Sequence, residues 1–420
     1  MERLIPLLTA FALAVSLTAC AGTPTAPADV PAPSETAAAS ETTEPAATPP
    51  TVPAREKVPT DFDEWPSNTF IATGSNYQYD DAEHVTFRTY FPVEAAGEMT
   101  YRFYFSNTVD STWERGRYAF AGKPGGAYTI ESARIADGGM TPEDGLASLT
   151  DVTFDGAAAR DVAPGETFWS DPVTIDIPDG HSLVWEWTLT GTDIPCIRMT
   201  ELAYSVAVTE SGTVYNMDVP APQLIGAQRQ ARRLVCLGDS ITQGAQTTPY
   251  ANAFWVAQLA QSLGEEWSVW DLGLGYARAS DCALGGDWLE RAKTGDIVTV
   301  AFGTNDLAAG QYGKTVPCTA TDIEGWLRTI VQELTDAGCT VILFNAPPFD
   351  YAPDTEAVRV ALNERIPVIA AETGAAYFDW ASLLSSPDDP AVPRYGGHPN
   401  DEGCQVIADA FLEQFAALFG

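Results

Sequence analysis

Basic residues and histidine are scarce in this chain of 420 residues. It has 22 Lys and Arg against 57 Asp and Glu, which gives a net charge of −35 at pH 7. Such a surface repels polyanions and anionic lipid headgroups, so we expect no nucleic acid among its partners. No C-x-x-C pair occurs and the only histidines are His84, His181 and His398. We therefore expect neither a metal site nor another cofactor.

The N-terminal apolar run is too short to span a bilayer comfortably. It extends from Leu4 to Ala19, follows Arg3 and ends in small residues, which is typical of a cleaved signal peptide. LTAC, ending at Cys20, resembles the bacterial lipoprotein lipobox, in which the cysteine is diacylated; the alternative is an ordinary signal peptide. We expect residues 1–20 to be a lipoprotein signal peptide. Lipidated Cys20 would then be the only membrane contact and would hold the protein at the extracellular face of a bacterial membrane.

Residues 21–58 contain few side chains that can bury a core. Their Pro, Ala, Thr, Ser and Glu favour extended backbone, so we predict a stalk. Beyond Cys20 the chain has six further cysteines, and an even number in an exported protein suggests disulfides. The spacing leaves the pairing open, with Cys282–Cys318 weakly favoured.

Alternating strand patterns occupy the region from about Asp61 to Tyr215. Two of them are MTYRFYFSN and HSLVWEWTLTG. The apolar faces of these two runs contain Met99, Tyr101, Phe103, Phe105, Leu183, Trp185, Trp187 and Leu189. Because turn-rich segments and no convincing amphipathic helix separate the strands, we predict an antiparallel β-sandwich or jelly-roll domain over residues 59–220. Its aromatic residues are expected to fill the core rather than to bind sugar.

The pattern changes after VPAPQLIGAQRQA, which we interpret as a linker. Over residues 221–420, short apolar strands alternate with helical segments, which predicts a parallel sheet and an α/β fold. The predicted strands are RLVCLG, WSVWDL, DIVTVAFG, TVILFN and AAYFDW, and the clearest helices are NAFWVAQLAQSLG and IEGWLRTIVQELTDAG. Ligands bind at the carboxyl ends of such strands, where Ser240 and Asn305 fall, with His398 before the last helix.

Three blocks in this region resemble those of the SGNH or GDSL hydrolase family. They are GDSIT (Gly238–Thr242), GTND (Gly303–Asp306) and GGHPNDEG (Gly396–Gly403), in the family's order and at suitable distances. The resemblance implies a flavodoxin-like three-layer α/β domain and a carboxylic ester hydrolase. YFSNTVDSTW and VAPGETFWSDPVTIDIPDG are similar, more loosely, to a β-rich module fused to some secreted GDSL esterases.

Each block contains a group that acyl transfer needs. A serine hydroxyl is a poor nucleophile until a base removes its proton, and His398 is the only histidine in residues 221–420. We therefore predict Ser240 as nucleophile and His398 as general base. The resemblance assigns the oxyanion hole to the Ser240 N–H and the Asn305 side-chain amide.

Two positions depart from the family's pattern. DLGLGY places Tyr276 where a glycine usually donates its N–H to the oxyanion, so we name the neighbouring Gly275 as a candidate donor. The family also has D-x-x-H, whereas Tyr395 stands three residues before His398. We predict a Ser–His dyad whose imidazole is oriented by a backbone carbonyl; the alternative is that Asp388 or Asp389 replaces the missing acid.

The sequence thus predicts an extracellular, lipid-anchored serine esterase. Its substrate is expected to be an acylated carbohydrate or a small ester, with acetyl or another short acyl group removed. The stalk, the acidic surface and the β-rich domain favour a carbohydrate over a lipid. The alternatives are a lipase or thioesterase of the same family, and a non-catalytic carbohydrate-binding protein whose hydrolase domain has decayed.

Overall fold

The computed structural model describes residues 56–71, 74–111, 121–146, 148–215, 218–311, 316–384 and 398–420. These residues belong to one compact unit, in which an antiparallel β region precedes an α/β region. The predicted signal peptide with Cys20, the stalk up to residue 55, and Asp388, Asp389 and Tyr395 lie outside the described residues.

Antiparallel strands form the first region. In chain order they are β1 (Tyr77–Pro92), β2 (Gly97–Ser106), β3 (Thr108–Val109), β4 (Lys123–Pro124), β5 (Tyr128–Asp137), β6 (Thr150–Val152), β7 (Arg160–Val162), β8 (Thr167–Trp169), β9 (Val173–Ile177), β10 (Ser182–Arg198), β11 (Ser205–Thr209), β12 (Gly212–Tyr215), β13 (Asp218–Val219) and β14 (Leu224–Ala227). One sheet has the order β12-β11-β1-β10-β5-β6, with β13 added to β10 and β7 to β5. A second sheet has the order β14-β2-β8, with β9 also on β2, and β3 pairs with β4.

Aromatic side chains join the two larger sheets. The rings of Phe103 on β2 and Trp185 on β10 lie 4.5 Å apart, and those of Phe105 and Trp187 lie 5.3 Å apart. All four side chains are buried. The prediction that the alternating aromatic residues fill the core of a β-sandwich is therefore confirmed.

A five-stranded parallel sheet forms the second region. Its strands are β15 (Arg232–Gly238), β16 (Trp267–Gly273), β17 (Ile297–Ala301), β18 (Thr340–Phe344) and β19 (Ala376–Phe378), in the order β16-β15-β17-β18-β19. This is the flavodoxin-like order, in which the first strand lies between the second and the third. The predicted α/β fold and its five strands are therefore confirmed.

Helices connect these strands and follow the last one. They are α1 (Ser240–Gln243), α2 (Trp255–Leu263), α3 (Ala279–Cys282), α4 (Asp287–Ala292), α5 (Thr304–Gln311), α6 (Ala320–Asp336), α7 (Pro353–Thr373), α8 (Asp401–Gln414) and α9 (Ala416–Phe419). Two of them, α2 and α6, confirm the two helices named from the sequence. Among the described residues, no helix is both long and apolar enough to cross a membrane.

Two expectations are wrong. The stretch expected to be a linker contains β14, which is buried and pairs with β2, because its apolar residues complete the smaller sheet. The favoured Cys282–Cys318 disulfide is absent: the six cysteines of the described residues are all free thiols. Cys282 is buried at the end of α3, where it acts as a small apolar core residue.

A buried arginine joins the β region to the α/β region. Arg291 on α4 is fully buried and its guanidinium contacts the carboxylates of Asp110, 2.8 Å away, and Asp287. The hydroxyl of Tyr104 on β2 donates to Asp287 over 2.6 Å. Because a buried charge is tolerated only when it is paired, these contacts fix the two regions against each other.

Replacing Arg291 should destabilise the protein strongly. In Arg291→Met, buried Asp110 loses its cationic partner, which should lower the free energy of unfolding by about 3–5 kcal/mol. Urea denaturation followed by tryptophan fluorescence measures this loss. The control is Arg365→Met, which removes a half-exposed ion pair with Glu324 and should cost less than about 1 kcal/mol. Equal losses in the two variants would contradict the importance of the buried pair.

Candidate active site

A tight turn from strand to helix positions Ser240. β15 ends at Gly238, and Asp239 caps α1 by accepting a hydrogen bond from the Ile241 N–H over 2.9 Å. A Cβ atom on Gly238 would lie 2.2 Å from the Thr242 hydroxyl and 2.9 Å from the Ala301 carbonyl. Only glycine fits this turn without a shift of the backbone or of Thr242, and the turn places Ser240 at the carboxyl edge of the sheet.

The structure brings Ser240 and His398 together, although they are far apart in sequence. The Ser240 Oγ atom lies 2.9 Å from the His398 Nε2 atom, which is hydrogen-bond distance. His398 lies three residues before α8, whose first turn is capped by Asn400 accepting from the Gly403 N–H over 2.9 Å. The ring of Phe349 packs edge-on against the imidazole, with 5.9 Å between ring centroids. This is the geometry that a serine nucleophile and its base require.

Burial keeps the imidazole neutral. It lowers the pKa of His398 from its usual 6.5 to about 4, because the charged form loses its hydration. At neutral pH the Nε2 atom can therefore accept the Ser240 proton. Asp388 and Asp389 lie outside the described residues, so the choice between a carbonyl and a carboxylate beside His398 stays a prediction.

Asn305 lies beside the same pair, in the first turn of α5. Its side chain is 8% exposed and its Nδ2 atom donates to the Ala277 carbonyl over 3.0 Å. The next residue, Asp306, accepts hydrogen bonds from the N–H groups of Ala279, 2.9 Å away, and Ser280, 3.3 Å away. These contacts hold the Asn305 amide at the edge of the sheet where the predicted oxyanion hole lies.

The contacts of Gly275 do not support its predicted role as an oxyanion donor. Its N–H donates to the Gln243 Oε1 atom over 2.7 Å, so that group is already used within the protein. The neighbouring Tyr276 has a φ of 64°, a left-handed conformation that costs a non-glycine residue about 1–2 kcal/mol. The loop therefore keeps the backbone conformation that a glycine would adopt easily, even though a tyrosine replaces it.

A cavity of about 250 Å³ contains all three residues predicted as catalytic. Ser240, Asn305 and His398 lie in its wall, and so do four residues of the β region, Asn76, Tyr77, Arg198 and Glu201. These four were not predicted from the sequence, because each lies at or beyond the end of a strand, where the alternation of apolar and polar residues carries no signal. Across the described residues, no group of three or more His, Cys, Asp or Glu side chains is arranged to hold a metal ion.

Comparison with protein families identifies the second region. Residues 236–406 match the GDSL-like Lipase/Acylhydrolase family, over a span that contains Ser240, Asn305 and His398. Residues 236–406 are a GDSL-like acylhydrolase domain. It is a carboxylic ester hydrolase of the SGNH type, and its fold is the one that the resemblance implied. Among curated proteins, none matches the chain.

Solved structures similar to this acylhydrolase cover less than half of it. They include a member of the lipolytic G-D-S-L family from Veillonella parvula DSM 2008 (24% identity, 44% of this chain and 99% of that chain, TM-score 0.38). An aryl esterase from M. smegmatis has 22% identity over 45% of this chain and 100% of its own, with a TM-score of 0.36. A carbohydrate acetylesterase family member from Sinorhizobium meliloti has 18% identity over 45% of this chain and 98% of its own, with a TM-score of 0.36. Likeness at this level says nothing about the substrate of this chain.

The pH dependence of the esterase should report the state of His398. Because the imidazole must be neutral to accept a proton, kcat/KM should stay constant on acidification from neutral pH and fall with a midpoint near pH 4. A carboxylate at hydrogen-bond distance would instead raise the pKa of His398 and move the midpoint to about 6.5 or higher. Initial rates on a neutral ester, with folding followed by circular dichroism at each pH, measure this midpoint.

The double variant Asp388→Asn, Asp389→Asn is the control for this profile. If a main-chain carbonyl orients His398, the variant should keep the acid midpoint and lose less than about tenfold in kcat. A loss of about a thousandfold or more, with KM and folding preserved, would mean that one of these carboxylates acts as the acid of a triad.

Proposed function

We propose that this acylhydrolase is an extracellular, lipid-anchored serine esterase that removes acetyl or other short acyl groups from carbohydrate. The observation that carries the proposal is the 2.9 Å contact between Ser240 Oγ and His398 Nε2 in the wall of a small cavity. The contact, the neutral imidazole and Asn305 together favour an active esterase over a decayed hydrolase domain, in which none of them would be needed.

The reaction follows from these three residues. His398 Nε2 takes the Ser240 proton while Oγ attacks the carbonyl carbon of the ester, and the amide of Asn305 with the Ser240 N–H stabilises the oxyanion. His398 then gives its proton to the departing alcohol oxygen, which leaves an acyl group on Ser240. A water molecule, deprotonated by His398, attacks this acyl group, and the acid is released as Ser240 recovers its proton.

The volume of the cavity supports a short acyl group. About 250 Å³ is less than the roughly 300–1,000 Å³ of pockets that enclose drug-sized ligands, so a long fatty chain would have little room beside Ser240. The net charge of −35 also disfavours approach to anionic lipid surfaces. Both observations favour a hydrophilic, short-chain ester over a lipid.

The N-terminal sequence supports the proposed location. Arg3, the apolar run Leu4–Ala19 and Cys20 have the pattern of a lipoprotein leader, and the Pro-rich residues after it can extend as a stalk. Two acyl chains on Cys20 would anchor the protein firmly, since a single chain binds a membrane only marginally.

Ser240 should be the only residue that reacts with a fluorophosphonate probe. The hydroxyl is activated by His398, so the wild type should be labelled rapidly, and Ser240→Ala should abolish both labelling and the hydrolysis of p-nitrophenyl acetate. Ser382→Ala, which changes an exposed serine after β19, is the matched control and should be labelled like the wild type. Full esterase activity in Ser240→Ala would refute the proposed nucleophile.

Cys20 should determine where the protein is found. In a bacterial host that processes lipoproteins, the wild type should fractionate with membranes and incorporate a labelled fatty acid, and Cys20→Ala should be released or remain unprocessed. Membrane fractionation with immunoblotting measures both. A wild type that is secreted without lipid would contradict the anchor but leave the esterase proposal intact.

A further inference from the structure

The β region forms one side of the catalytic cavity. Tyr77 is the first residue of β1 and Asn76 directly precedes it, and Arg198 ends the neighbouring β10. The Asn76 N–H donates to the Cys196 carbonyl over 3.1 Å, so these two strand ends lie next to each other. Both ends reach the cavity that contains Ser240 and His398, together with Glu201 from the turn after β10.

Hydrogen bonds hold this side of the cavity against the α/β region. Asn76 is fully buried, and its Nδ2 atom donates to the Gly275 carbonyl over 3.1 Å. Gln243, on the helix that Ser240 begins, donates from its Nε2 atom to the Arg198 carbonyl over 3.5 Å. The position of the Arg198 backbone is therefore set by the same helix that carries the nucleophile.

The side chains of Arg198 and Glu201 face each other without a hydrogen bond between them. The Arg198 Nε atom is 3.8 Å from the Glu201 Oε2 atom, and the two side chains are 49% and 15% exposed. Within the described residues, the Arg198 guanidinium makes no hydrogen bond. The half-exposed guanidinium and the mostly buried Glu201 carboxylate are thus a donor and an acceptor in the wall of the cavity.

Aromatic rings lie beside this pair. Tyr77 and Tyr276 pack edge to face with 6.4 Å between their ring centroids, and Tyr276 is 38% exposed. Charged donors and acceptors next to exposed aromatic surface can bind a ring that carries hydroxyl groups on its edge and C–H groups on its faces. An alkyl chain would instead remove water from Arg198 and Glu201 without replacing the lost hydrogen bonds.

We propose that Arg198 and Glu201, with the Tyr77 and Tyr276 rings, form the subsite that binds the alcohol half of the ester, and that this alcohol is a sugar ring. The inference rests on the proposed esterase function and specifies its substrate. Apart from the carbonyl oxygen, which the oxyanion donors bind, acetyl and other short alkyl acyl groups contain only C–H groups. Of the two halves of such an ester, only a hydroxylated alcohol can therefore use this charged pair.

A neighbouring cavity extends this subsite away from Ser240. It has a volume of about 580 Å³, is open to solvent, and shares Arg198 with the catalytic cavity. Tyr79 and Asp218 also line it. A second sugar unit joined to the first would continue past Arg198 into this space, so the subsite fits an oligosaccharide or polysaccharide ester.

Two acetates with six-membered rings test the proposal in the full-length protein. One is a mixture of monoacetylated methyl glucopyranosides, which carry free hydroxyls, and the other is cyclohexyl acetate, which carries none. The wild type should hydrolyse the sugar acetates with the higher kcat/KM. Arg198→Gln should lower the ratio of the two kcat/KM values by at least about tenfold, since hydrogen bonds from a charged group to the substrate are lost. Glu201→Gln should lower it in the same direction.

Arg365→Gln is the matched control. Arg365 is 46% exposed and pairs with a Glu324 side chain that is 17% exposed, but Arg365 does not line the catalytic cavity. The ratio of the two kcat/KM values in Arg365→Gln should therefore equal that of the wild type. A wild type that prefers the sugar acetates, combined with an unchanged ratio in Arg198→Gln, would overturn the subsite while leaving the proposed function in place. A wild type that hydrolyses cyclohexyl acetate at least as well as the sugar acetates would overturn the carbohydrate substrate itself.

Discussion

The turn between β15 and α1 is the constraint on which the active site depends. Gly238 has no room for a side chain, because Thr242 and the Ala301 carbonyl of the adjacent strand occupy that space. The chain must therefore leave the sheet sharply, and Asp239 stabilises the new direction by capping the helix that Ser240 begins. Since β15 lies between β16 and β17, the nucleophile emerges where the loops after both neighbours meet.

The β region contributes to the catalytic cavity as well as to stability. Arg291 and its carboxylate partners join the two regions through buried charges. Asn76 of the β region adds a hydrogen bond to the Gly275 carbonyl, in a loop of the α/β region. That loop in turn binds Gln243 on α1, so a chain of hydrogen bonds runs from β1 to the helix of Ser240. Because the wall of the cavity is shared, the two regions constitute one functional unit around the substrate.

Local sequence patterns predicted most of the fold and the three central residues of the site. They did not predict the contacts between residues far apart in the sequence. Alternation identified β2 and β10, and short apolar runs identified all five strands of the parallel sheet, because each pattern reflects burial of the segment itself. The long helix α7 has no single apolar stripe and contains Pro367, so its periodicity is weak. Ser240, Asn305 and His398 were predicted from blocks that carry their own chemistry. Arg198 and Glu201 belong to no such block. Long-range contacts bring them to the cavity, among them the pairing of β10 with β1 and the hydrogen bond from Gln243 to the Arg198 carbonyl.

The low pKa of His398 has two opposite effects on catalysis. Burial keeps the imidazole in the neutral form that accepts a proton, even in acidic surroundings, so the fraction of active enzyme stays high. The same burial makes the imidazolium that forms in the transition state costly, and a weaker base removes the Ser240 proton less readily. A carboxylate would offset that cost with its charge, whereas a carbonyl offers only its dipole. If a carbonyl orients His398, most of the stabilisation of the transition state must come from the oxyanion donors. The hydrogen bond from Asn305 to the Ala277 carbonyl, which fixes the position of the Asn305 amide, is consistent with such a role.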